Sequence, residues 1–109
     1  MATFTINSTS FSTITKIDWQ DDQASPGLDG NTPLLRWRRL VAQAEVMSAA
    51  NFNSLYAFEG ARVNVTAPPY NNRNAATWTT YQGAVCERVS GLHQGNVFTG
   101  VQAEFRIRL

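Results

Sequence analysis

One pair of side chains in the sequence has the types of a nucleophile and its base, Cys86 and His93. A thiol and an imidazole act together when they lie within hydrogen-bonding distance and a third group orients the imidazole. These two residues are separated by a predicted strand end and turn, and the sequence shows no orienting partner. Because a single cysteine in a strand is usually a small core residue, we predict no catalytic residue and no enzymatic activity.

Two further groups have ligand-binding types. The aspartates Asp18, Asp21, Asp22 and Asp29 lie close together in the chain, but their spacing does not match the glycine and glutamate positions of an EF-hand calcium loop. A solvated acidic loop is the simpler interpretation, so we predict no metal and no cofactor.

The aromatic pair Trp78 and Tyr81 has the composition of a sugar-stacking platform. Such a platform would make the chain a carbohydrate-binding β-sandwich module. Aromatic residues in strands more often belong to a core, so this function is the alternative from another class.

The composition favours one domain, residues 1–109, with a net charge of +1. This charge predicts no specific nucleic acid and no membrane surface as a partner. Eight of the nine basic residues are arginines, the other being Lys16. Arginine is enriched in protein interfaces and lysine is depleted there, but a GC-rich coding sequence produces the same bias, so both explanations stay open.

Alternation with a period of two predicts a mainly β protein. It is clearest in Val97–Leu109, where Val101, Phe105 and Ile107 share one face. A second long strand holds Tyr81, Val85 and Val89 on one parity, with a bulge or a close contact at Gly83. Loops are predicted at about residues 20–33 and 67–76. The segment Pro33–Met47 fits a helix by propensity and a strand by alternation.

A short helix is predicted over about Ala49–Phe58. Ser48 is a good N-cap, the apolar residues recur at helical spacing, and Gly60 stands where a C′ glycine would end the helix. Phe52, Leu55 and Tyr56 are its predicted buried face.

The pattern from this helix to the C-terminus resembles small tail-associated virion proteins of tailed bacteriophages. It consists of a capped helix that ends at a glycine, a Val-x-Val-Thr-x-Pro strand, a Tyr-x-Gly strand and a Ser-Gly-x-His-x-Gly turn before a last alternating strand. The matching positions are Ala50, Phe52, Leu55, Tyr56, Gly60, Val63, Val65, Thr66, Pro68, Tyr81, Gly83, Ser90, Gly91, His93 and Gly95. The first half, including the sequence around Asp21, has no counterpart in this pattern.

The resemblance implies an antiparallel β-sandwich with one short flanking α-helix, and on that fold residues 40–46 form a strand. It also implies a virion structural subunit that is assembled in the host cytoplasm and builds a ring or tube in the phage tail. A capsid decoration or head–tail joining protein is the alternative within this class. The implied partners are copies of the chain itself and other virion proteins.

A contact between copies needs exposed residues of the types that dominate interfaces, which are Arg, Trp and Tyr. We predict that an arginine-rich segment and an asparagine-rich loop meet the acidic loop of the next copy, in a head-to-tail arrangement. The predicted interface residues are Arg36, Trp37, Arg38, Arg39, Tyr70, Asn71, Asn72, Arg73, Asn74, Asp21, Asp22 and Asp29.

Overall fold

The computed structural model of the chain describes residues 3–20, 37–72 and 74–108, and for Trp37 it describes the backbone only. Helix α1, Ala49–Tyr56, lies between the fourth and fifth of seven strands. The strands are β1 Thr5–Ile6, β2 Thr9–Ser10, β3 Lys16–Gln20, β4 Trp37–Ser48, β5 Arg62–Ala67, β6 Thr79–Gln94 and β7 Val97–Arg108.

All seven strands belong to one antiparallel sheet in the order β2-β1-β5-β6-β7-β4-β3, which is curled into a half-barrel. Strands account for 61% of the structure. The predicted mainly β, antiparallel class with one helix is therefore confirmed. The described residues form a single sheet rather than two stacked ones, so the sandwich is not confirmed.

Strand β4 resolves the ambiguous segment before the helix in favour of a strand from Trp37 onward. It pairs with β7 from Trp37 to Ser48 and with β3 over residues 39–43. Leu40, Ala42 and Ala44 alternate into the core. This long two-sided pairing outweighs the poor strand propensity of Ala, Gln and Glu, because β propensity depends mainly on the surrounding sheet.

The concave side of the sheet, called here the inner face, carries the hydrophobic core. On β7 the predicted residues Val101, Phe105 and Ile107 are all at most 1% exposed, which confirms the facing of this strand. Phe4, just before β1, packs on Phe105 with ring centroids 5.7 Å apart. The curl thus brings strands from different parts of the sheet onto one core.

The sequence predicted Tyr81, Val85 and Val89 on one face of β6, and this prediction is wrong for Val85. Gly83 has φ +71° and coincides with a shift in the β5–β6 register, so it forms the predicted bulge. Beyond it Ala84 and Cys86 are buried, whereas Val85 lies on the opposite, outer face. A second register shift after Cys86 returns Val89 to the inner face. Each extra residue reverses the alternation, which a fixed period of two cannot follow.

Helix α1 covers the inner face near one end of β4, β6 and β7. The Oγ of Ser48 accepts a hydrogen bond from the Asn51 N–H at 3.2 Å, as predicted for the N-cap. Phe52 and Leu55 are buried, but Tyr56 is 52% exposed, which corrects its predicted burial. Among the described residues, no helix is long and apolar enough to cross a membrane.

The end of the helix differs from the prediction as well. The helix stops at Tyr56 rather than Phe58, and the backbone turns through Ala57 and Glu59 before it reaches Gly60. Gly60 has the predicted positive φ, +84°, but its N–H donates to the carbonyl of Cys86 at 2.7 Å. Its role is to join the turn to β6 rather than to cap the helix.

We expect Phe105→Ala to lower the free energy of unfolding by ~3–5 kcal/mol, because it removes a fully buried ring and leaves a cavity. Gln102→Ala, on the outer face of the same strand, is the control and should change it by less than about 0.5 kcal/mol. Urea denaturation measures both. A loss under about 1 kcal/mol for Phe105→Ala would contradict the facing of β7.

Candidate functional site

The predicted interface residues fall into two groups with respect to the structure. Five of them, together with the side chain of Trp37, lie outside the described residues: Asp21, Asp22, Asp29, Arg36 and Arg73. The other six are Arg38, Arg39, Tyr70, Asn71, Asn72 and Asn74. Their role as an interface stays a prediction.

Arg38 and Tyr70, 32 positions apart in the chain, contact each other. The Nε of Arg38 donates to the hydroxyl of Tyr70 at 3.2 Å, and its guanidinium carbon lies 5.5 Å from the ring centroid. The structure therefore joins the arginine-rich segment to the asparagine-rich loop within one chain. Asn71, Asn72 and Asn74 follow Tyr70 and are exposed.

The Arg38–Tyr70 contact is part of an aromatic cluster around Trp19, a residue that the sequence prediction missed. Trp19 is 5% exposed, and its ring makes edge contacts at 5.3 Å with both Tyr70 and Tyr81. Its Nε1–H donates to the carbonyl of Pro68 at 2.8 Å, and the Tyr81 hydroxyl accepts the Tyr70 N–H at 2.9 Å. The shared parity of Ile17 and Trp19 was the available indication that Trp19 is buried.

Tyr81 is thus used inside this cluster. Its predicted partner in a sugar-stacking platform, Trp78, is partly buried against the hydrophobic core. Both rings are partly buried, and the carbohydrate-binding alternative stays a prediction.

Arg39 lies on the outer face of the sheet, opposite to Arg38. It is in register with Arg106 on β7. Arg106 is in register with Val85 on β6, and Val85 is in register with Arg62 on β5. Paired residues of neighbouring strands point to the same side, so three arginines form one row across the sheet. Like charges directly opposite each other destabilise a sheet unless something compensates for them.

Partial compensation comes from carboxylates on the same face. Arg39 pairs with Glu104 at 3.8 Å, and Arg106 pairs with Glu87 at 3.4 Å. The next row places Asp18, Val41, Glu104 and Arg88 in register. Val41 is only 1% exposed, which indicates that the long polar side chains around it fold over its surface.

The outer face collects six of the seven basic residues in the described part of the chain, and only Arg38 lies elsewhere. We call these six the basic face: Lys16, Arg39, Arg62, Arg88, Arg106 and Arg108. Three carboxylates accompany them, those of Asp18, Glu87 and Glu104. The basic face therefore has a formal charge of +3 on a chain whose total is +1.

The ends of β4, β6 and β7 that lie away from the row of arginines carry exposed apolar residues. Val46 is in register with Thr99, which is in register with Leu92. Val46 is 52% exposed and Leu92 is 62% exposed. Because paired residues share a face, these two side chains form a small apolar strip on either side of Thr99.

The helix side of the same end holds a row of stacked rings. Phe98 stacks on Phe52 at 3.8 Å and on His93 at 4.8 Å, and Phe52 is stacked with the exposed Tyr56 at 6.1 Å. We call Val46, Tyr56, Leu92 and Phe98 the apolar end. All the large hydrophobic side chains that are exposed in the described part belong to it.

The sequence pair Cys86 and His93 is not brought together. Cys86 is buried in the core, and His93 is exposed at the apolar end. Both lie on strand β6, where seven residues span roughly 20 Å. This separation excludes a direct thiol–imidazole contact in the described fold.

The described residues contain no group of three or more His, Cys, Asp or Glu side chains that could hold a metal ion. Asp18, the described member of the aspartate group, lies exposed on β3. An open groove of about 360 Å³ lies between Lys16, Glu45 and Gly100, and Asp18 is not part of its lining.

We expect Trp19→Phe to lower the free energy of unfolding by ~1–3 kcal/mol, because the buried Pro68 carbonyl loses its donor while an aromatic ring remains. Tyr56→Phe removes a hydroxyl from an exposed ring and is the control, with less than about 0.5 kcal/mol expected. Both are measured by urea denaturation. A cost for Trp19→Phe as small as that of the control would show that the indole contact does not stabilise the curl.

Burial raises the pKa of the Cys86 thiol from 9.0 to about 12, and the charges of Glu59 and Glu87 add to the rise. The folded state therefore keeps a proton that the unfolded state releases, so stability is full below pH 9 and falls as the pH rises toward 12. We expect the stability advantage of wild type over Cys86→Ala to shrink by about 2 kcal/mol between pH 8 and pH 10.5. Paired denaturation curves measure it, and a constant difference would contradict the raised pKa.

Comparisons with protein-family models, with curated proteins and with solved structures give no significant match for this chain. A proposal for its function therefore rests on its own surfaces and on the pattern of its sequence.

Proposed function

We propose that this chain is a non-enzymatic structural subunit that self-assembles into a ring or tube in a bacteriophage tail. The observation that carries the proposal is the outer surface of the sheet, where a row of arginines and a strip of exposed apolar residues lie at opposite ends of the same strands. Arginine together with exposed apolar side chains is the composition that protein interfaces favour.

The sequence resemblance supplies the phage context of the proposal. Several of its positions have structural roles in this fold. Phe52 and Leu55 are the buried residues of α1, and Gly83 forms the bulge in β6. Gly91 lies against Phe52, where a Cβ atom would approach the ring to 3.1 Å. These positions thus account for the packing of a helix on a curled sheet. The function implied by the resemblance is the assembly of such subunits.

The two-layer sandwich belongs to this proposal. One layer is the curled sheet of the chain itself. The sandwich is predicted within a single chain, residues 1–109, and the described residues supply one of its two layers. A decoration or head–tail joining protein would use similar surfaces at another place in the virion, so the position in the particle distinguishes these roles.

The test replaces the apolar strip with polar residues of similar size, in the double variant Val46→Asn and Leu92→Asn. Each lost contact removes about 1–2 kcal/mol of apolar burial, so we expect at least about tenfold less of this variant in purified particles. Quantitative mass spectrometry of particles from cells that express either the variant or wild type measures it. Thermal melts establish that the variant is folded.

A matched control changes polar residues of the same strands, Gln43→Asn and Gln94→Asn, and should enter particles like wild type. Equal amounts of the apolar-strip variant and the control in particles would show that the strip makes no contact. Absence of the wild-type chain from particles would overturn the virion function itself.

A further inference from the structure

We propose that the basic face docks on the apolar end of a second copy of the same chain. This contact deepens the proposed function, on which it rests, and names the two surfaces that meet. It is heterologous, which means that different surfaces of the two copies are joined, and repeated contacts of this kind close into rings or extend into tubes.

The arginine row of the basic face cannot meet the apolar strip within one copy, although Lys16 lines the same groove as Glu45. Arg39 and Val46 lie near opposite ends of β4, and Arg106 and Thr99 lie near opposite ends of β7. Seven residues of strand separate each pair, which corresponds to roughly 20 Å. Two copies are needed to bring the surfaces together.

The charge pattern of the basic face fits a protein partner better than a nucleic acid. Neighbouring strands place Arg39 and Arg106 about 5 Å apart, and Arg62 lies two strands, or about 10 Å, from Arg106. Each planar guanidinium suits a carboxylate. Glu87, Glu104 and Asp18 alternate with them on the same face. These carboxylates would repel a phosphate backbone, whereas a protein surface of mixed charge can pair with both signs.

The apolar end has the complementary charge. The parts of the chain that build it, residues 44–56 and 90–100, contain one carboxylate, that of Glu45, and no lysine or arginine. Glu45 is exposed and adjoins Val46, whereas Glu59 accepts a hydrogen bond from the Val89 N–H at 3.1 Å and lies outside this end. The contact would bury Val46 and Leu92 beside an ion pair that Glu45 makes with an arginine of the second copy.

The experiment uses two charge variants of the full chain. The first reverses the exposed arginines of the basic face, Arg62→Glu with Arg88→Glu and Arg108→Glu. The second makes the apolar end basic, Glu45→Arg with Asn96→Arg. Each variant alone then presents two surfaces of the same sign, so neither should assemble. An equimolar mixture offers opposite signs at every contact and should assemble by alternation.

Light scattering and sedimentation velocity follow assembly of wild type, each variant and the mixture, and circular dichroism establishes that all are folded. We expect at least about tenfold weaker assembly for each variant alone and recovery in the mixture. As a control, Arg62→Lys with Arg88→Lys and Arg108→Lys keeps the charge and should assemble measurably better than the reversed form.

Assembly of the first variant at the wild-type level would overturn the basic face as the contact, and failure of the mixture to recover would overturn the apolar end as its partner. Wild type is also titrated with a single-stranded oligonucleotide. Tight binding that the first variant loses, with unchanged assembly, would assign the basic face to nucleic acid instead. None of these three outcomes affects the virion function, which depends on the presence of wild type in particles.

Discussion

The rest of the structure depends on the curl of the sheet, which the hydrogen bond from the Trp19 indole to the carbonyl of Pro68 bridges. Strand β3 carries Trp19 at one edge of the sheet, and Pro68 follows β5, which lies four strands away. In a flat sheet these strands would be roughly 19 Å apart, yet the two atoms are joined at 2.8 Å. The sheet must curl to make this contact, and the curl turns one face into a closed core.

Several other features follow from this curl. Phe4 reaches Phe105 across the core, although β1 and β7 are three strands apart in the sheet. Helix α1 covers the inner face where Phe52 stacks on Phe98. The glycine at position 91 permits this approach, since a side chain there would meet both Phe52 and Val101. The inner face is thereby filled, and the outer face carries the basic face and the apolar strip.

The alternating strands and the capped helix could be predicted from the sequence because their signals are local. The period of two in β7 needs no knowledge of neighbouring strands, and Ser48 caps a helix whatever the helix packs against. The phase of β6 could not be predicted, because the bulges at Gly83 and after Cys86 are defined only relative to β5 and β7. Tyr56 was predicted to be buried because helical spacing places it beside Phe52, but its ring only stacks on Phe52 and stays 52% exposed.

The candidate surfaces also combine features that local sequence indicates with features that only the strand order creates. The sequence indicated Arg38 and Arg39 as one group, and the structure separates them onto opposite faces because neighbours in a strand alternate. Arg38 then contacts Tyr70, whereas Arg39 joins a row with Arg106 and Arg62 that only the strand order creates. The apolar strip of Val46 and Leu92 also depends on register, since these residues are far apart in the chain.

The central claim is that the chain associates with itself through contacts of opposite charge. Sedimentation equilibrium of the purified wild-type chain, at low and at high salt, measures this most directly. The account predicts a mass that rises with concentration above the 12.1 kDa of one chain at low salt and falls back as salt screens the charges. A mass of one chain at every concentration and salt level would contradict it.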